Sequence, residues 1–231
     1  MKNNRTTSAS LSLAATAIVG ISAASAQADL IEARFDSVSP GRNIEFSTND
    51  GHSYQTTVAG NFNWTRLGGD YDGGGAEGQY VTYCVDLVQH VSYGAEYEFN
   101  VIEPTEAPWP TSGMGDDRAD RLAELFGRHW SSGFGQDEAA GFQLAVWEIV
   151  NDDDLDLADG DFRIRDAGSA QDWANLWLAS IDGTGPTADL AVMGSNSRQD
   201  QVFMIPTPAS GMLAGVGMWL LAGRTRKRKF P

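Results

Sequence analysis

The chain carries one cysteine, and its chemistry is the first question the sequence poses. Cys84 stands in Tyr83-Cys84-Val85-Asp86-Leu87, a segment whose composition reads as a strand. Strand alternation puts Thr82, Cys84, Asp86 and Val88 on one face and Tyr83, Val85 and Leu87 on the other. Three fates are open to a lone cysteine: a buried inert thiol, a catalytic thiolate, or a sulfur masked by an internal covalent bond. The second residue of interest is Gln143, inside Ala140-Gly141-Phe142-Gln143-Leu144-Ala145-Val146-Trp147-Glu148-Ile149. At helical spacing its neighbours are Ala139, Ala140, Val146 and Trp147. An unpaired amide in such surroundings costs about 1–3 kcal/mol, so Gln143 requires a partner, ordinarily backbone. Other clusters are weaker. An EF-hand register beginning at Asp152 puts Leu157 at the glycine position and Arg163 at the last ligand, so the acidic run 151–161 reads as a solvated turn. His52, His90 and His129 lack ligand spacing, and a Cys84–His90 or Cys84–His129 peptidase dyad has no nucleophile signature around Cys84. Neither a metal nor a cofactor is expected.

Taken together, Tyr83-Cys84-Val85-Asp86 and Phe142-Gln143-Leu144-Ala145-Val146-Trp147-Glu148 resemble the Cys–Gln thioester domains of bacterial surface adhesins. That family pairs an aromatic-Cys step on a strand with an apolar-Gln-x-x-apolar-Trp run on a helix. The likeness runs from the Cys84 strand through Asp161; the chain before Tyr80 and the last helix match only in general character. It implies that the Cys84 thiolate attacks the Gln143 carboxamide carbon, ammonia leaves, and a thioester remains. An arriving primary amine, such as a lysine on a target surface, would then form an isopeptide bond through Gln143 and release the thiol. In this reading Tyr83, Phe142 and Trp147 form an apolar shield against hydrolysis. Asp86 could accept the amine's proton, or equally make a turn hydrogen bond. Capture happens once per molecule, so the protein would not be a turnover enzyme.

Both ends of the chain have their own character. Residues 1–28 read as a secretory signal: Lys2 and Arg5, an apolar stretch from Leu11 to Ala24, then small-x-small cleavage sites. Residues 206–231 hold Pro206-Thr207-Pro208, an apolar run from Ala209 to Gly223, and Arg224, Arg226, Lys227, Arg228 and Lys229. This order resembles the PEP-CTERM sorting tail with Thr207 in place of the usual glutamate. The likeness implies an exosortase-type processing enzyme as partner, a transmembrane helix as membrane anchor, and a final place at the cell surface or in the extracellular matrix. It departs from the sortase signal of Gram-positive adhesins. The whole chain has 16 basic and 31 acidic residues, a formal charge of −15. Without the seven cations of the two ends, residues 29–205 carry nine basic residues, all arginine, against all 31 acidic ones, a charge of −22. Such a surface disfavours nucleic acid as a partner. A core without lysine cannot quench its own thioester through an ε-amine.

The elements that must position Cys84 and Gln143 follow from periodicity. Leu30–Phe35, Asn43–Ser47 and Tyr54–Ala59 read as strands, with a tight turn at Asn49-Asp50-Gly51. The glycine-rich run Gly68–Gly78 reads as a loop, followed by strands Gln79–Val88 and Glu96–Ile102 and a proline-bearing linker, Pro104–Gly115. Helices are predicted from the caps Asp116 and Asp117 to His129, from Asp137 to Val150, and from the cap Ser169, with Trp173, Leu176, Trp177 and Ile181 as the buried face of the third. Short strands at Phe162–Ile164, Ala188–Val192 and Asp200–Ile205 close the domain. The expected class is α+β: sandwich- or barrel-like strands with an inserted helical subdomain, flanked by the signal peptide and the C-terminal transmembrane helix. The rival to adhesion is a structural component of the cell envelope or matrix, with Cys84 merely buried.

Overall fold

The computed structural model describes residues 29–72 and 78–205. Seven strands are interrupted by three helices: β1 (Leu30–Ser47), β2 (Gln55–Gly68), β3 (Gln79–Cys84), β4 (Glu96–Ile102), α1 (Gly115–His129), α2 (Gln136–Asn151), β5 (Arg163–Arg165), α3 (Ser169–Leu178), β6 (Leu190–Gly194) and β7 (Gln201–Met204). The class is therefore α+β, dominated by an antiparallel sheet, with the helices entering between β4 and β6. The signal segment and the sorting tail, with Pro206, Pro208, Arg224, Arg226, Arg228 and the expected transmembrane helix, lie outside the described residues. Among the described residues, no helix is long and apolar enough to cross a membrane.

Every strand pairing is antiparallel, and the sheet runs β2-β3-β7-β6-β4-β1-β5 with a further β1–β2 pairing. That pairing joins six strands in a closed circuit, with β5 added at the far end of β1. The first two strand segments of the sequence are one 18-residue element: β1 continues through Asp36–Arg42 because its register shifts between Phe35 and Ser37 and again between Val38 and Gly41. Such irregularities bend a strand without ending it, which lets β1 pair with β4 at Leu30–Arg34 and with β5 at Glu45–Ser47. Aromatic contacts fill the space enclosed near this bend, Trp64 lying 4.9 Å from Phe35 and 5.4 Å, edge-on, from Phe99.

α2 is the central helix. It is buried without interruption from Ala139 to Val150, a stretch apolar except for Gln143 and Glu148. It packs against α1, α3 and strands β1 to β3. At Gly141 it meets α3 so closely that an added Cβ would lie 2.6 Å from the Ala170 carbonyl oxygen. The helix starts correct two cap expectations. Met114, Gly135 and Gly168 are the N-caps, none with a side-chain cap bond, and Asp116 and Asp117 lie in the first turn of α1 instead. Carboxylates there still favour the positive end of the helix dipole. Ser169 is the first residue of α3, and Leu176 is 60% exposed, so the buried face of α3 is Ala170, Ala174, Trp177 and Leu178.

Candidate functional site

β3 ends at Cys84, four residues earlier than its composition predicts, and that early end makes the site. The Val85 N–H donates to the Asp200 carbonyl at the start of β7 (3.0 Å). By alternation, the N–H and C=O of Cys84 face away from β7, toward the side where β2 has already ceased to pair, its last partner on β3 being Thr82. The side chain of Gln143 fills this place. Its Oε1 accepts from the Cys84 N–H at 2.9 Å and its Nε2 donates to the Cys84 carbonyl at 2.8 Å. The amide makes the two bonds that a neighbouring strand would have made, and both residues are 0% exposed. The two residues singled out by chemistry, 59 positions apart, are thus in direct contact.

The sulfur itself donates to the Asp86 carbonyl, 2.9 Å away. Burial pushes the thiol far above its ordinary pKa, and the Asp86 and Asp200 carboxylates push the same way; the Trp147 indole N–H opposes them. The thiol is therefore protonated at neutral pH. The Asp86 carbonyl also accepts from Gln199 Nε2 (3.0 Å), which begins a buried chain of hydrogen bonds. Gln201 Nε2 donates to Gln199 Oε1, Thr82 Oγ1 to Gln201 Oε1, and Trp64 Nε1 to Thr82 Oγ1. These partners fix the backbone on which the sulfur rests. Asp200, fully buried, accepts from the Trp109 and Ser195 N–H groups at 2.6 and 2.8 Å. Burial raises its carboxyl to about 7 despite those donors, with nearby Asp86 adding to the rise.

The other expected site residues are placed as follows. Asp86 lies beyond the end of β3, so strand alternation does not govern it. Its Oδ1 accepts from the Val88 and Gln89 N–H groups (2.7 and 3.2 Å), the turn-forming role, and the residue lines a cleft of about 360 Å³ against Trp109, Ser112 and Arg118. Val88, beside it, is 85% exposed. Tyr83 and Phe142 touch each other, ring centroids 4.7 Å apart, in a cluster that includes Phe126. The Tyr83 hydroxyl is held by Asn61. Trp147 belongs to a different cluster, with Phe46 and Phe162. His52 contacts the Asn49 carbonyl and His129 the Ser180 hydroxyl, neither of which is near the thiol in the bonding network. Among the described residues, no group of three or more His, Cys, Asp or Glu side chains is placed to hold a metal ion.

Gln199, Asp200 and Gln201 were missed by sequence reasoning. Three polar residues in a row directly before the apolar Val202-Phe203 are the signal that could have found them, since such a run at the start of a closing strand is either solvated or part of a polar core. Here all three are buried. Chemically, the arrangement holds a carboxamide against the backbone of the only thiol. The Cys84 N–H polarises the amide carbonyl and stands where charge on that oxygen would need a donor. No family model, curated protein or solved structure matches the chain.

Proposed function

We propose that this is an exported cell-surface protein in which Cys84 and Gln143 form an internal thioester that captures amine nucleophiles as covalent isopeptide adhesion bonds. The observation that carries the reading is the clamp of the Gln143 carboxamide on both polar backbone groups of Cys84. Most buried glutamines find some backbone partner; this one finds the residue that bears the lone sulfur. Thioester formation requires the Cys84 side chain to turn from the Asp86 carbonyl toward the amide. The sulfur then adds to the Gln143 carbonyl carbon, the C–N bond breaks, and nitrogen departs as ammonia with the thiol proton. Holding both groups in one fold makes a slow bimolecular reaction intramolecular. A lysine amine on a target surface would later add to the same carbon, break the C–S bond and return a proton to sulfur. In this reading Tyr83, Phe142 and Trp147 exclude water, and Asp86, two residues beyond Cys84, takes the proton of the incoming amine.

In this reading the finer architecture is a barrel-like thioester domain over 29–205 with an inserted helical subdomain. Residues 206–231 are its PEP-CTERM-like anchor, handled by an exosortase-type enzyme, and residues 1–28 its export signal. The protein acts once per molecule and is not a turnover enzyme. A second reading, a structural component of the envelope or matrix, is favoured by one observation: the resting thiol already has an acceptor in Asp86 and is fully enclosed. Intact mass separates the two. The thioester form is lighter than the sequence by one ammonia, and Cys84→Ala or Gln143→Ala abolishes the deficit. Methylamine adds to the lighter form and exposes a titratable thiol. A purified chain of full sequence mass refutes the thioester and leaves the structural reading.

A further inference from the structure

Among the described residues, the Trp147 indole N–H is buried, the residue being 2% exposed, and has no hydrogen-bond partner. Buried donors in folded proteins are almost always paired, and an orphan asks for an explanation. Phenylalanine or leucine would fill much of this space without stranding a donor. The ring stacks on Phe46 at an interplanar angle of 25°, so its in-plane N–H does not point into that ring's face. Trp147 lies one helical turn beyond Gln143, and residues four apart share a helix face. Both side chains therefore leave α2 on one face, Gln143 reaching the Cys84 backbone, and the indole is the side chain that favours the charged form of the sulfur.

We propose that the Trp147 indole N–H is the donor that receives the Cys84 sulfur whenever that atom carries negative charge. This rests on the thioester reading. Charge develops on two atoms in that chemistry, and the site holds one donor for each. The Cys84 N–H, already on Gln143 Oε1, serves the carbonyl oxygen. The indole serves the sulfur. In thioester closure the S–H proton leaves, sulfur attacks the amide carbon, and the nitrogen carries the proton away in ammonia. In capture the amine attacks the same carbon, the C–S electron pair returns to sulfur, and the surplus amine proton follows it. Sulfur is anionic on the way into the first step and on the way out of the second. In both, the surroundings are otherwise hostile: burial and the Asp86 and Asp200 carboxylates all oppose the anion. A donor without a competing acceptor in the resting state is spared the cost of breaking a bond before it acts.

The test removes the N–H and keeps the shape. In the full chain, Trp147→Phe is compared with 3-benzothienylalanine at position 147, a bicycle of the same outline with sulfur in place of N–H. Two quantities are read: the rate of methylamine addition to the ammonia-deficient form, and the pH at which the released thiol becomes reactive. Loss of one such donor slows addition by about a hundredfold to a thousandfold, and the thiol titrates at higher pH than in the wild type. A role in packing alone would leave the titration of the isostere unmoved. A folded isostere with wild-type addition rate and titration overturns the proposal while the thioester stands. A wild-type chain with no mass deficit removes the thioester reading, and this inference with it.

Discussion

Glu148→Gln is expected to stabilise the protein in mildly alkaline solution and to leave it nearly unchanged in mild acid. Glu148 follows Trp147 near the C-terminal end of α2, is 0% exposed, and has no hydrogen bond to either carboxylate oxygen among the described residues. Burial raises its carboxyl from the usual 4.5 to about 8, and the carboxylates of Asp152, Asp154 and Asp156 add to the rise, which the Asp156 backbone offsets only in part. The negative end of the helix dipole acts in the same direction as those carboxylates. Below pH 4.5 the group is protonated in both the folded and the unfolded chain and costs nothing. As pH rises, the unfolded chain ionises first, so stability falls from about pH 4.5 until the folded group ionises near 8. At about 1.4 kcal/mol per pH unit, the window sets a ceiling of about 5 kcal/mol. The 152–156 turn can relax around the charge and admit water, which brings the expected value to about 2–3 kcal/mol.

The assay is urea unfolding of wild type and variant at pH 4.5, 6.5 and 8.5 with the slope against urea held in view. The two curves should agree at the lowest pH and separate by about 2–3 kcal/mol at the highest, the variant being the more stable. Asp200, raised to about 7, leaves a smaller downward slope in both. Asp36 works in the opposite sense, since hydrogen bonds from Thr65 and Arg34 hold its carboxyl low and that support is lost as pH falls toward the carboxylate range. Stability should therefore be greatest near pH 5. Parallel profiles for the two chains, or a variant weaker at pH 8.5, would refute the account of Glu148 as a buried unpaired acid.

Gly141→Ala should destabilise by about 1–3 kcal/mol in thermal or urea unfolding, since the new methyl would stand 2.6 Å from the Ala170 carbonyl oxygen and 2.8 Å from Trp173 Cβ, outweighing the gain in helix propensity. Glu124→Ala should cost about 2–3 kcal/mol. Burial works against that carboxylate, but the Gly183 and Gly185 N–H groups and Arg128 outweigh it and hold its pKa low, so removal strands two backbone donors and a cation. Because its pKa is lowered, the contribution should be present at neutral pH and fade as acid protonates the group. Capture of a basic, lysine-containing peptide should slow as salt is raised, because residues 29–205 carry a charge of −22. A rate indifferent to ionic strength would sever capture from surface charge.

Periodicity located β4 to the residue and α2 to within a residue at each end, because both elements satisfy their local pattern without compromise. It failed where long-range pairing overrides local signals. Asp36 to Arg42 contains a proline and polar residues and looks like a break, yet β1 passes through it because β2 pairs on past two register shifts. Beyond Cys84, Val85–Val88 is as strand-like in composition as Tyr80–Cys84. What ends β3 is the Asp86 carboxylate taking the Val88 and Gln89 N–H groups, a competition that composition does not weigh. The pairing of Cys84 with Gln143 was visible only through the likeness of the two motifs to thioester domains. Nothing in the spacing of residues 59 apart specifies contact. The Gln199–Gln201 network was invisible because its partners, Asp86 and Thr82, lie more than a hundred positions away.

The early end of β3 and the chemistry proposed for Cys84 have one cause. Had β3 continued to Val88 with β2 beside it, the Cys84 N–H and C=O would have been consumed by the ladder and no amide could have reached them. Because β2 stops pairing at Thr82, two buried backbone groups need partners, and leaving them unmet would be costly. Gln143 meets both from a helix that is buried on every side, which fixes the amide as firmly as a strand would. The same replacement puts an electrophilic carbon next to the nucleophile's own residue and a backbone donor on its oxygen. In the proposed thioester reading, one side chain thus meets the structural need and supplies the electrophile. Gln143→Glu separates them: a carboxylate could still accept from the Cys84 N–H, but it would face the Cys84 carbonyl without a donor and offer no ammonia to lose. That variant should be destabilised by about 1–3 kcal/mol at neutral pH and carry its full sequence mass. A Gln143→Glu chain as stable as the wild type would mean that the clamp does not support the fold.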